Sequence, residues 1–266
     1  MKNVISKLQY IIIITLIISS CKKNEQTNSK YEFSDNESKS IKIGLFLDYA
    51  VWDVCKTTTI NMLNAMKCNY TILNKDSILE GNLNHYNILL MPGGDMWKYK
   101  DDLTSIGMSK ITEFVNQGGG YIGICGGAYF AASKIVWRGW ANEPRINVSI
   151  NGLNLFKGTS DGPIEYFAPS YVDSKSQIKI IDSIHAITNE VQSSLGLYYD
   201  HGPMFIANEN SDMTIIGKTV NGNKDVIIAF HANTGKVFLI ALHPERDDSH
   251  VSWIMIKNAM IWCNAK

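Results

Sequence analysis

The stretch Gly119-Gly-Tyr-Ile-Gly-Ile-Cys125-Gly-Gly-Ala128 sets one cysteine among glycines. Tyr121 to Ile124 has the apolar character of a short buried strand, the glycines permit a sharp turn, and Ala128 to Ser133 reads as a helix start. A cysteine at such a junction is lifted clear of the backbone, and a helix N-terminus favours its thiolate. This is the arrangement of a nucleophile elbow with sulfur in place of a serine oxygen. A thiolate that attacks a carbonyl needs a base for its proton, a group that orients the base, and donors for the oxyanion. Far downstream, His243-Pro-Glu245 offers an imidazole two residues from a carboxylate, with proline stiffening the link. His243 is the best base among the six histidines because it ends a strand. Glu245 is the expected orienting group. The backbone N–H groups of Gly126 and of Gly94, in the turn Pro92-Gly93-Gly94, are the expected oxyanion donors.

These groups need a scaffold that brings them together. Ile41–Leu47, Tyr70–Leu73, Tyr86–Met91 and Tyr121–Ile124 read as strands, with helical spacing over Trp52–Met66 and Leu103–Val115. Strands alternating with helices, several apolar on both faces, predict an α/β fold with a parallel sheet covered on both sides. From Ile146 the pattern changes. Val148–Phe156 and Pro163–Phe167 look like hairpin strands, and further strands are expected at Ile178–Ile181, Thr214–Lys218, Val226–His231 and Val237–Leu242. Glu190–Phe205 reads as irregular and aromatic, and a last helix spans His250–Cys263. Open parallel sheets carry their sites at the carboxyl ends of strands. Gly93, Cys125 and His243 all fall just past such ends.

The N-terminus has a different character. Lys2 and Lys7 precede an apolar run from Ile11 to Ile18, followed by Ser19, Ser20 and Cys21. A positive start, a short apolar core and small residues predict a secretory signal over residues 1–20. Ile18-Ser19-Ser20-Cys21 resembles a bacterial lipobox, which implies lipidation of Cys21 and an exported protein anchored to a bacterial membrane. Residues 21–40 are polar and read as the lipidated cysteine with a flexible tether. Residues 41–266 then suit one domain. Without residues 1–20 the chain keeps 23 basic against 25 acidic side chains, with no basic cluster, so nucleic acid is not an expected partner. Among the remaining cysteines, Cys263 reads as buried and inert, while Cys55 and Cys68 are free to pair or not. The run from His243 to His250 has no metal-ligand spacing, and neither a metal nor a cofactor is expected.

The motif Gly123-Ile-Cys125-Gly-Gly127 resembles the Gly-x-Cys-x-Gly elbow of class I glutamine amidotransferases, His243-Pro-Glu245 their His-x-Glu pair, and Pro92-Gly93-Gly94 their oxyanion turn. The longer string Gly119–Ala131 is similar to one branch, the amidotransferase-like domain found at the N-terminus of eukaryotic biotin–protein ligases and as stand-alone bacterial proteins. The resemblance runs from Ile41 to Ala265 in element order. It implies a flavodoxin-like three-layer sandwich, mostly parallel at its centre with an added β-hairpin region, and a Cys125–His243–Glu245 triad. Two positions depart from relatives. Amidotransferases that use free glutamine usually carry Gln four residues after the cysteine, where this chain has Tyr129. The PfpI-type protease group has His directly after the cysteine, where this chain has Gly126.

The expected activity is hydrolysis or acyl transfer at an amide or related carbonyl of a small molecule or peptide. The alternative is a binding module that keeps the pocket without turnover. Gly93, Tyr129, Asp200, His201 and Asp48 are the expected pocket residues, with Asp48 equally suited to an N-cap. Arg138 reads as solvated surface, and Arg145 is left open between surface and a substrate carboxylate partner. Biotin-related transfer rests on family association alone.

Overall fold

The computed structural model describes residues 29–140, 146–164, 174–209 and 211–265. The continuous apolar runs form the centre of a nine-stranded sheet. β1 (Lys42–Phe46) pairs in parallel with β2 (Asn69–Leu73) on one side and β3 (Ile88–Met91) on the other. β3 pairs with β4 (Gly120–Ile124), and β4 with the late strand β13 (Gly235–Ile240), both in parallel. Every residue of β3 and β4 is buried, as strands covered by helices on both faces must be. The order β2-β1-β3-β4-β13 is the flavodoxin-like arrangement, which places sites beyond the strands' carboxyl ends.

Helices cover both faces. α2 (Asp53–Ala65) and α6 (Trp253–Asn264) press Met62, Leu63, Met255, Ile256 and Met260 onto one face. α3 (Lys75–Leu79) and α4 (Met96–Asn116) press Ile78, Tyr99, Leu103, Ile111 and Val115 onto the other. The start of α4 is fixed by Asp95, whose carboxylate accepts from the backbone N–H groups of Trp97 and Lys98.

The chain between β4 and β13 builds the rest. The helix expected over Ala128–Ser133 is shorter: α5 covers Gly126–Phe130, and β5 (Ala132–Trp137) follows at once. The reason lies in a later loop, where the N–H groups of Leu153 and Leu155 take the carbonyls of Phe130 and Ala131. β6 (Val148–Ile150) and β7 (Phe156–Gly162) flank β5, so the expected hairpin strand over Val148–Phe156 is broken by a turn. Of the strand expected at Pro163–Phe167, Pro163 and Ile164 are outside any strand and residues 165–167 lie outside the described residues. β8 (Ser174–Ile180) pairs with β9 (Ser194–Tyr199), and β10 (Met204–Ala207) with β7. The segment read as irregular over Glu190–Phe205 therefore contains two strands. β11 (Thr214–Thr219) and β12 (Asp225–Ala232) complete the set. β12, β11, β8 and β9 extend the central sheet in antiparallel fashion, while β10-β7-β5-β6 form a second sheet. The central sheet is thus parallel over five strands and antiparallel beyond, and the added β region is larger than a hairpin.

The flexible tether expected up to Ser40 ends earlier. Ser34 and Glu37 close a capping box at the start of α1 (Asp35–Ser40). Phe33 is 2% exposed and its N–H donates to the Met66 carbonyl. Lys257 of α6 donates to the Glu32 carbonyl and pairs with Glu37 at 3.2 Å. Polar composition concealed this docking, because one buried ring anchors a short polar helix. Cys21 and residues 22–28 lie outside the described residues. Phe33→Ala should cost about 3 kcal/mol of unfolding free energy. Urea denaturation of a protein lacking residues 1–28 measures it, and an unchanged midpoint would show that this segment is a tether after all.

Candidate active site

Parallel register decides which side chains meet. Ile240 of β13 lies beside Ile124 of β4, and Met91 of β3 beside Gly123. The next residues on all three chains then leave the sheet at one edge. They are Cys125, the turn Pro92-Gly93-Gly94, and the segment Ala241-Leu242-His243. Cys125 sits at φ 47°, ψ −102°, a strained backbone for a residue with a β-carbon. Such strain costs roughly 1–3 kcal/mol and persists only where surroundings enforce it. Here the Cys125 N–H donates to the Ile240 carbonyl, and the Gly127 N–H to the Pro92 carbonyl. A β-carbon on Gly126 would collide with the Gly94 carbonyl oxygen and stand 2.6 Å from the Gly94 nitrogen. Only glycine lets the elbow and the β3 turn approach so closely. Neither the Gly94 nor the Gly126 N–H has an acceptor among the described residues. Both residues line the cavity in front of Cys125.

The His243 side chain is fully buried, and its backbone N–H donates to the Tyr198 carbonyl of β9. Its Nδ1 lies 2.7 Å from Glu245 Oε1. Pro244 and Glu245 lie in a 3₁₀ turn, held by Trp253 Nε1 donating to the Pro244 carbonyl at 2.9 Å. A β-carbon on Gly93 would stand 2.9 Å from His243 Cε1, 3.6 Å from Cys125 Cβ and 2.7 Å from Cys55 Sγ, so these three side chains converge on one glycine. Burial alone would depress the His243 pKa. The Glu245 carboxylate, then the Cys125 thiol, outweigh it and hold the imidazole well above its ordinary range. His243 Nε2 and Glu245 Oε2 are buried without a well-formed hydrogen bond among the described residues. The Cys125 thiol donates to the Asp200 carbonyl at 3.3 Å.

The other expected residues divide. Tyr129, Gly94, Gly126 and His201 line a narrow cavity of about 20 Å³ in front of Cys125, room for about one water. Asp200 touches the sulfur through its carbonyl, and its carboxylate lies 2.5 Å from His201 Nδ1. Asp48 does not line this cavity. Its two oxygens accept from the N–H groups of Tyr49 and Lys75, so it ties the end of β1 to the start of α3. Arg138, read as solvated surface, is half-buried and makes a two-pronged pair with the buried Asp161, at 2.8 and 2.6 Å. Arg145 lies outside the described residues. Cys55 and Cys68 are both free thiols.

Sequence reasoning missed two features. Cys55, at the start of α2, lies 3.9 Å from His243 Nδ1. Its thiol, His243 and Glu245 present metal-ligand atoms within 4.8 Å of one another. The 2.7 Å His243–Glu245 contact nonetheless describes a hydrogen bond, since a tetrahedral ion would separate two such atoms by roughly 3.3 Å. The second is an aromatic wall. Trp52, Trp97, Trp137 and Trp140 surround the cavity with Tyr129 and His201. The Trp137-Arg138-Gly139-Trp140 run is the available signal, with its arginine the less important part.

This fold has known counterparts. The family model described as "Biotin-protein ligase, N terminal" matches residues 51–260, and the chain belongs to that family. A biotin–protein ligase of Schizosaccharomyces pombe is 30% identical over 168 residues, which are 59% of this chain and 25% of the ligase. The chain thus spans a quarter of that relative's length. A glutamine amidotransferase structure from Thermotoga maritima aligns with TM-score 0.56 at 10% identity, covering 85% of this chain and 99% of that one. A ThuA-like protein structure from Bacteroides uniformis aligns with TM-score 0.55 at 11% identity, covering 84% and 90%. These alignments establish the shared flavodoxin-like amidotransferase fold.

Two measurements test the site. Burial raises the Cys55 thiol, pushes Cys68 up to about 12 and raises Cys263 further. Cys125 should therefore react with iodoacetamide at neutral pH roughly tenfold faster than any of the three. Equal rates by peptide mass spectrometry would remove the activated nucleophile. The raised His243 means its charged form stabilises the fold fully below the unfolded value near about 6.5, and that contribution fades as pH rises through the folded value. Glu245→Gln leaves burial opposed only by the thiols, so the ring should lose its proton at least about one pH unit earlier, read by ¹⁵N NMR of the imidazole.

Proposed function

We propose that the chain is a cysteine-nucleophile hydrolase or acyl transferase acting on an amide or related carbonyl bond. The observation that carries this reading is the convergence of Cys125, the His243–Glu245 pair and two unused N–H groups at one sheet edge. His243 already holds the proton of Cys125, and the thiolate sulfur adds to the substrate carbonyl. The Gly126 and Gly94 N–H groups hold the oxygen as it becomes negative. When the carbonyl re-forms, the carbon–nitrogen or carbon–oxygen bond breaks and His243 returns the proton to the departing amine or alcohol. The acyl group remains on Cys125 until water or an acceptor displaces the sulfur. Glu245 keeps the ring oriented and offsets its charge throughout.

The near-complete cover over Cys125, 2% exposed, favours a second reading, a module that binds a carbonyl compound without turning it over. Cys125→Ser separates the two. Incubation with a panel of amides, esters and thioesters should add an acyl mass to the wild-type chain and none to the variant. Absence of any adduct or product across the panel would leave the binding module standing.

For location we propose a lipid anchor on Cys21 in a bacterial envelope, supported by the signal-like N-terminus. No helix among the described residues is long and apolar enough to cross a membrane. An alkyne fatty acid fed to cells making the full chain should label the wild type and not Cys21→Ser.

A further inference from the structure

Four of the chain's six tryptophans gather at one place. Trp52 precedes α2, Trp97 opens α4, and Trp137 and Trp140 come from the end of β5. Their rings touch one another, with centroids 6.0 Å apart for Trp52–Trp140, 4.8 Å for Trp137–Trp140 and 5.7 Å for Trp97–Trp137. Trp140 also meets His201 at 5.2 Å. Trp140 is 44% exposed. Large rings left partly in water carry an unfavourable hydration term that a ligand can remove.

The space inside this ring of aromatics has two properties. It is narrow, about 20 Å³ in front of Cys125, which accommodates a carbonyl group and little more. Among the described residues no lysine or arginine lines it, whereas Asp95 does. Asp95 is already engaged in capping α4, and the Asp200 carboxylate is held by His201. A carboxylate at the tryptophan rim would meet Asp95 and, among the described residues, no lysine or arginine, at a cost that rises in a dry site.

We propose that the substrate of this site is a compound without a carboxylate that carries a flat ring and a slim terminal carbonyl group. The ring lies against Trp52 and Trp140 at the rim, and the carbonyl passes through the slot to Cys125. Offset and edge contacts between aromatic rings reward such a ligand beyond the area they bury. The inference rests on the acyl-transfer reading and names the substrate class for that same site. It also gives a reason for Tyr129: an amino-acid head group is not what this mouth receives.

The test uses Cys125→Ala protein, so that binding is read without turnover, with tryptophan fluorescence and calorimetry as readouts. The probes are 3-phenylpropionamide, butyramide, L-glutamine and tetramethylammonium. The ring amide should bind at least tenfold more tightly than butyramide, and the two charged probes should not compete with it. Trp52→Phe should retain most of the affinity, while Trp140→Ala should lose about tenfold, the equivalent of 1.4 kcal/mol. Circular dichroism checks that each variant is folded. Glutamine or tetramethylammonium binding as tightly as the ring amide, or an affinity unchanged by Trp140→Ala, would overturn the proposal. Two failures are distinguishable with wild-type protein. Tryptophan-dependent binding of the ring amide, with no adduct or product across the panel of amides, esters and thioesters, removes acyl transfer and leaves recognition intact. Hydrolysis of glutamine with no binding of the ring amide removes this inference and leaves acyl transfer intact.

Discussion

A buried imidazole held 2.7 Å from a buried carboxylate is the interaction on which this molecule's chemistry depends. Such a pair is a poor way to stabilise a protein. Removing two ionisable groups from water costs several kcal/mol each, and apolar side chains of the same size fill a core at no such cost. The cost here is met by the surroundings. The His243 N–H is fixed to β9, Trp253 holds the Pro244 carbonyl, and Asp247 takes the N–H and hydroxyl of Ser252 beyond the turn. What remains unmatched, His243 Nε2 and Glu245 Oε2, belongs to the same pair. Two of the six unmatched buried side-chain atoms among the described residues thus fall on one ionisable pair in reach of a thiol, as at a site rather than in core packing.

Strain and close packing at the elbow serve that pair. The sheet contributes direction, since three parallel strands release Gly93, Cys125 and His243 at the same edge. The glycines contribute proximity, since a side chain at Gly126 would drive the β3 turn away from the sulfur. The positive φ of Cys125 then turns its thiol toward the wall that the chain between β4 and β13 builds. His201 also has a positive φ, 61°. It lies opposite Cys125, so backbone strain is stored on both sides of the cavity.

How much of this could be read from the sequence follows from which forces are local. The elbow, the oxyanion turn and the His-x-Glu pair are short motifs whose glycines and spacing are set by local backbone geometry, and they are legible. The central strands are legible because continuous apolar runs between turns have few alternatives. The extent of α5 is not, since it ends where amides 23 or more residues later take its carbonyls. Nor is the docking of Phe33, a single apolar ring in a polar stretch. Asp48 looks like a pocket residue by position, and only its hydrogen bonds assign it to the backbone. Cys55 is invisible as a neighbour of His243, because a contact over 188 positions leaves no trace in either local sequence.

Tyr129 stands where these constraints meet. It occupies the place where relatives that use free glutamine carry a Gln, yet its hydroxyl is engaged, donating to the His201 carbonyl at 2.8 Å. Its ring meets Trp137 at 6.1 Å. The residue is therefore a strut between the elbow helix and the inserted wall. A side chain that in one branch of the fold would contact substrate here fixes the position of His201 and Trp137. On the proposed reading, recognition falls not to the first turn after the nucleophile but to the rings contributed by the ends of β5, α2 and α4. The elbow and triad are set by the sheet and change little with substrate. The wall is built by the chain inserted between β4 and β13, where residues can change without disturbing the register that aligns Cys125 with His243. A shared nucleophile and a separate, replaceable wall allow one fold to serve unlike substrates.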